Sequence, residues 1–298
     1  MASMTIRATN PDQDVEALVE IERQAEPFST MNAASWLHRE RSVPERARLG
    51  AFVAELDGQV VGEGYAFLPW WQEGQAHISV AVLERARRRG IGAALYDAAF
   101  AHAETLDPMR ITAMFYETPA GVAFATERGF HEARAEQISS VDPRTVTEEP
   151  AAEVRPASEV DPHVLWHIDE TSALDIPLLD PYEPMPYEDW LPFTIERPLY
   201  QAEGSFVAYA DGEAAAWSML AADLESGRGM TNYTGTLPEF RGRGLARAAK
   251  VASLRWAAAN GITRVATMND ETNAPMLAIN NRLGYKPAGR RVEYARES

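Results

Sequence analysis

"PEFRGRGLARAAK", residues 238–250, places four cations around two glycines just before an Ala/Leu-rich run, in a chain of net charge −16. Amides at a helix start point outward unpaired, and the helix dipole adds partial positive charge. Glycine lets the backbone approach an anion closely, successive amides form a concave nest, and arginines add charge at its rim. The stretch therefore reads as an anion seat. It lacks the Gly-Lys-Ser/Thr of a Walker loop and the third glycine of a dinucleotide fingerprint.

The stretch has a counterpart. "RGRGLARAA" begins at Arg241 and "RRRGIGAAL" at Arg87, an offset of 154 (241 − 87). An Asp-Gly pair recurs at Asp57-Gly58 and Asp211-Gly212 with the same offset, and "ERGF" ending at Phe130 returns as "RLGY" ending at Tyr285. Three landmarks in one order and near-constant spacing describe two copies of one fold. The copies are expected over residues 1–142 and 153–298, joined by a Pro/Glu/Ala-rich linker at 143–152.

A length of 298 residues suits two domains. With no cysteine, disulfides, thiolate metal sites and thiol nucleophiles are excluded, and a cytoplasmic setting is expected. No apolar run approaches a membrane span, and the opening "MASMTIRATN" lacks the apolar core of a signal peptide. The excess of 44 acids over 28 bases repels nucleic acid and anionic membranes, so neither is expected as a partner. It favours a cationic small molecule, or simply serves solubility.

Local patterns fix the elements. "GAFVAELDGQVVGEGYAF" and "GSFVAYADGEAAAWSML" alternate around their Asp-Gly pairs as hairpins do. A further strand follows each, and the Arg/Gly segment then opens a helix. In the second copy Leu245, Ala249, Ala252 and Trp256 form an apolar stripe, and Asn260-Gly261 stops the helix. Another strand, a second helix and a closing strand complete each copy. The fold class is mixed α/β: two tandem domains, each a mostly antiparallel sheet flanked by helices.

The pattern Arg-x-x-Gly-x-Gly/Ala at Arg87/Gly90/Gly92 and Arg241/Gly244/Ala246 resembles the acetyl-coenzyme A loop of the GNAT superfamily of N-acetyltransferases. The strand and proline of "TGTLPEFRGRGLA" and the downstream block "TMNDETNAPMLAINNRLGY" resemble that family too, and the first copy keeps the order in a weaker form. The resemblance covers nearly the whole chain outside the linker, and the tandem arrangement is similar to that of mycothiol synthases.

The resemblance implies acetyl-CoA as cofactor, with its pantetheine arm bonded to the backbone of Thr234, Gly235 and Thr236 in copy two and of Val80, Ala81 and Val82 in copy one. The pyrophosphate would lie on the segment Arg241, Gly242, Arg243, Gly244, Leu245 and Ala246, or on Arg87, Arg88, Arg89, Gly90, Ile91 and Gly92. Asn269 and Asn273 match positions near the coenzyme arm; helix capping and strand-end bonding would explain them equally.

The implied chemistry is attack of an amine on the thioester, which wants a base for the ammonium proton and an acid for the departing thiolate. Many family members carry a tyrosine where this chain has Asn280 in copy two and Ala125 in copy one. Asn280 and Tyr233 are the candidate catalytic groups, and copy two, with fuller motifs, is the expected catalyst. The acceptor is expected to be a small, cationic primary amine, because residues 169–190 hold seven carboxylates among Tyr182, Tyr187 and Trp190 with no lysine or arginine; a solvated loop reads the same. His77 could serve as a base or be structural. His163 and His167 stand four apart without a third ligand, so no metal is expected. A non-catalytic acyl-CoA sensor or scaffold, and acetylation of a thiol cofactor precursor, remain as alternatives. The assembly is expected to be a monomer or homodimer.

Overall fold

A computed structural model describes residues 3–297 of the chain. It divides into two compact units, one running to Ala135 and taking up Arg290 onward, the other holding Glu136–Gly289.

The first unit is a mixed sheet in the order β1 (Met4–Ala8), β2 (Gly50–Leu56), β3 (Gln59–Phe67), β4 (Gln75–Val82), β5 (Arg110–Tyr116) and the Arg290–Glu297 part of β12 (Lys286–Glu297). Every pair is antiparallel except β4/β5. Helices α1 (Pro11–Ala25) and α2 (Ala33–Ser42) pack with α3 (Ile91–Glu104) and α4 (Pro119–Thr126) around it. The second unit repeats the plan with β7 (Glu153–Pro156), β8 (Phe206–Ala210), β9 (Glu213–Asp223), β10 (Arg228–Thr236), β11 (Arg264–Asp270) and the end of β6 (His131–Val141). Its helices are α5 (Pro162–Ala173), α6 (Tyr187–Thr194), α7 (Leu245–Ala259) and α8 (Ala274–Arg282). The expected mixed α/β class and the tandem plan are borne out.

The Asp-Gly hairpins form because both residues adopt positive φ, 52° and 79° at Asp57-Gly58 and 55° and 85° at Asp211-Gly212, which matches the twist of the flanking strands. α7 stops at Ala259, and the Ile262 amide reaches back to the Ala257 carbonyl across Gly261.

The compact units depart from the sequence copies at their last strands. β6 begins in the first unit and ends in the second, and β12 does the reverse. The segment read as a linker is also more ordered than its composition suggests. Val146 packs on the second core, Glu148 pairs with Arg247, and Glu149 pairs with Arg255 at 2.8 Å, both arginines projecting from α7.

Candidate active site

In the first unit β4 and β5 pair in parallel only over Gln75–His77 and Arg110–Thr112. Beyond His77 the registered pairs end although both strands continue. A cavity of about 660 Å³ opens there, walled by Val80, Ala81 and Val82 on one side and Met114, Phe115 and Tyr116 on the other. Strand amides and carbonyls that face such a gap require an external partner. β10 and β11 likewise stop pairing after Thr231 and Thr267.

At one end of the cavity lies the Arg/Gly loop. Arg88 and Gly90 have φ of 63° and 81°, and in the second unit Gly242 and Gly244 have 75° and 79°. Both loops therefore follow one path, and the first forces an arginine into a region that glycine occupies freely. Gly90 and Gly244 are the N-caps of α3 and α7, and no side chain caps either helix. Arg87 and Arg241 each turn back to a strand carbonyl, Val82 at 2.9 Å and Thr236 at 3.2 Å. The rims differ. Arg241 pairs with Asp175 at 2.5 Å and Arg243 with Asp211 at 2.6 Å. Arg88 and Arg89 have no ion pair among the described residues and remain available to an anion.

Glu63 on β3, opposite Ala81 in the ladder, also lines the cavity. It is only 9% exposed, and its carboxylate has neither hydrogen bond nor ion pair among the described residues. Burial, reinforced by the nearby carboxylates of Glu22 and Glu40 and opposed by Arg39, pushes it up to about 8. Tyr65 follows on the same strand face; burial raises its hydroxyl, which bonds to Ser79. Burial and the positive charge of Arg291 hold His77 down to about 4, so it stays neutral. Glu22 and Arg39 pair at 3.0 Å, and Glu26 and Arg291 at 3.5 Å.

The second unit fills the corresponding space with its own side chains. Trp217 faces Gly235 across its ladder as Glu63 faces Ala81. It is fully buried, with ring centroids 6.1 Å from Trp190 and 5.5 Å from Tyr233. Tyr233 is held by Ser172 and by the Ile168 carbonyl at 3.1 Å, and a side chain at Gly235 would collide with Tyr233 and Ser172. We expect Tyr233→Phe to cost about 1–3 kcal/mol of stability, the penalty of leaving buried partners unsatisfied, readable in urea unfolding.

Asn280 is also buried. It receives the Lys250 ammonium at 2.7 Å and donates to Asn269 at 2.6 Å; Asn273 caps α8 through the Met276 amide. Lys250 is fully buried over the Tyr285 ring, 4.7 Å from its centroid, and burial lowers it to about 7. A base lowered in the native state leaves the unfolded chain holding more protons between pH 7 and 10.5, so stability rises with pH across that window. Thermal melts at pH 6.5 and 9.5 should show that gain in the wild type and its loss in Lys250→Met.

Three of the seven acids of residues 169–190 are engaged by neighbouring side chains or amides. Asp169 accepts from the Trp190 indole at 2.7 Å, and burial raises it to about 7. Glu170 takes the Tyr182 hydroxyl at 2.8 Å and the Met185 amide, and Asp175 holds Arg241. These groups fasten their own segment. His163 stacks on Tyr187 at 3.8 Å, and no group of three or more metal-ligating side chains occurs among the described residues. No described helix is long and apolar enough to cross a membrane.

Sequence reasoning missed Glu63, Tyr65, Glu22, Arg39 and Arg291. One signal was present: in "QVVGEGYAF" the alternation puts Glu63 on the same face as Val61 and Tyr65, an acid within an apolar stripe.

A family model described as the Acetyltransferase (GNAT) family matches residues 15–130 and 167–285. Among solved structures, a tandem GNAT protein from the clavulanic acid biosynthesis pathway is 22% identical with a TM-score of 0.75, covering 100% of this chain and 98% of its own. A GCN5-related N-acetyltransferase from Sphaerobacter thermophilus is 18% identical with a TM-score of 0.69, covering 99% and 95%. N-myristoyltransferase of Saccharomyces cerevisiae with bound myristoyl-CoA is 10% identical with a TM-score of 0.65, covering 99% and 78%. At these identities the likeness is one of fold. No curated protein matches the sequence.

Proposed function

The chain belongs to the GNAT acetyltransferase family, an acyltransferase family that uses acyl-CoA, and from that premise we propose that its N-terminal unit moves an acetyl group from acetyl-CoA to the primary amine of a small, cationic molecule. The observation that carries this is Glu63: a buried acid with no hydrogen bond or ion pair among the described residues, lining a cavity shared with an open strand gap and a cation-rimmed loop.

Each element has a task in this reading. Backbone groups of Val80, Ala81 and Val82 hold the pantetheine arm in the gap. The amides of Arg88–Gly92, with the uncommitted Arg88 and Arg89, hold the pyrophosphate. Acyl-CoA bound there supplies an activated thioester. Glu63 takes the proton of the incoming ammonium, the freed nitrogen attacks the thioester carbonyl, and cleavage of the C–S bond releases coenzyme A, its thiolate taking up the second proton lost from the nitrogen. Neutral His77 adds no competing positive charge near the amine.

The C-terminal unit has the fuller motifs, yet we assign it no transfer. A tryptophan holds the register position of Glu63, the neighbouring space is packed, and both loop arginines are committed to carboxylates. Those features favour the non-catalytic coenzyme sensor or scaffold as the reading of this unit. The copies, 1–142 and 153–298 about residues 143–152, remain our division of the chain by ancestry.

The test is continuous detection of free coenzyme A on mixing the full chain with acetyl-CoA and primary amines. Release is expected, and it should disappear with changes at Glu63 or in the first loop. Release that persists in Glu63→Gln yet vanishes when Gly244 is changed would move the chemistry to the second unit.

A further inference from the structure

The acceptor end of the cavity in the first unit carries a definite charge balance. Five ionisable side chains line it: Glu22, Glu26 and Glu63, with Arg39 and Arg291. Two ion pairs account for four of them, Glu22–Arg39 at 3.0 Å and Glu26–Arg291 at 3.5 Å. The second oxygen of Glu22 takes the Ser29 hydroxyl at 3.0 Å. Of these three acids Glu63 is the one without an ion pair among the described residues. The cavity lining also includes the aromatic Tyr65 and Tyr116, the latter backed by Phe28 at 6.1 Å.

From this balance we propose that the acceptor is a primary monoamine whose remaining body is uncharged and aromatic or aliphatic. The proposal rests on the reading of the first unit as the transferase. One ammonium fits the one uncommitted carboxylate, and the tyrosine faces suit both that cation and an apolar body. A second ammonium would enter the same wall with no second carboxylate outside a pair. An amino acid's carboxylate would compete with Glu22 for Arg39 and with Glu26 for Arg291. Discrimination would then come from arrangements that penalise the wrong partner as much as from attraction to the right one. Arg291 reaches this wall on β12, so the end of the second sequence copy helps to set the specificity.

The experiment measures kcat/KM of the full chain with acetyl-CoA for 2-phenylethylamine, butylamine, putrescine and phenylalanine. Both monoamines should exceed the diamine and the amino acid by about tenfold or more. Putrescine or phenylalanine matching the monoamines would overturn the proposal and leave the transferase reading standing. No turnover of any amine, with acetyl-CoA still bound in calorimetry, would overturn that reading and this one with it. A second arm uses Glu26→Gln, which removes the charge of the carboxylate paired with Arg291. The ratio of phenylalanine to 2-phenylethylamine should rise at least about fivefold; an unchanged ratio would overturn the ion-pair argument.

Discussion

Glu63→Gln is expected to lower kcat by about a hundred- to ten-thousandfold while acetyl-CoA still binds, because the change removes the proton acceptor and spares the coenzyme end of the cavity. The pH profile should change as well. With the carboxylate pushed up to about 8, kcat/KM of the wild type should climb toward a limb near that pH, and the limb should be absent in the variant. His77, held down to about 4, contributes no limb in this range. Stability should move the other way. An acid whose native value is raised keeps its proton in the fold after the unfolded chain has lost it. The wild type therefore loses stability as pH rises from about 4.5 to about 8. Glu63→Gln carries no such loss. Above pH 8 it should melt higher than the wild type, by several degrees as an order of magnitude. An inactive variant that is also more stable is the expected mark of a group kept at an unfavourable position for function. A variant that lost activity together with stability at every pH would instead point to a packing role.

The second large effect concerns the loop. Gly90→Val should weaken acetyl-CoA binding by about tenfold to a hundredfold and cost about 1–2 kcal/mol of stability, because a β-branched residue cannot adopt φ of 81° without strain and the nest of amides would open. No atom lies within 4 Å of where its Cβ would sit, so the loss would come from backbone conformation and not from a clash. Gly244→Val imposes the same strain at φ of 79° in the second unit, with the same open surroundings. It should cost similar stability and leave transfer kinetics intact. Calorimetry on the two variants, with coenzyme A release measured beside it, separates the loops. Equal loss of transfer in both would show that the units act together.

Much of this was legible in the chain itself. The two loops, the Asp-Gly hairpins and the Gly-aromatic endings are local signals, each set by backbone conformations that few residues tolerate, so they survive reading one stretch at a time. Glu63 was legible only in part: its place in an apolar alternation marks it as buried and polar, but its want of a partner depends on α1 and α2. The acids of residues 169–190 were open to two readings for the complementary reason. Composition showed seven carboxylates, while Trp190, Tyr182 and Arg241, which consume three of them, are neighbours only in space. Motif completeness favoured the second unit because motifs record the coenzyme loop and not what packs beside it. Trp217 looks like an ordinary strand residue until the ladder aligns it with Glu63.

The exchange of closing strands constrains how this protein could ever be divided. A gene fragment encoding only residues 1–142 would make β5 without the neighbour that β12 provides, leaving a row of unmet amides and carbonyls prone to sticking to other chains. The remaining fragment would lack β6 beside β11 and carry a closing strand with nothing to close. Each half of the sequence thus takes its last seam from the other, so neither could be inherited or expressed alone with its sheet complete.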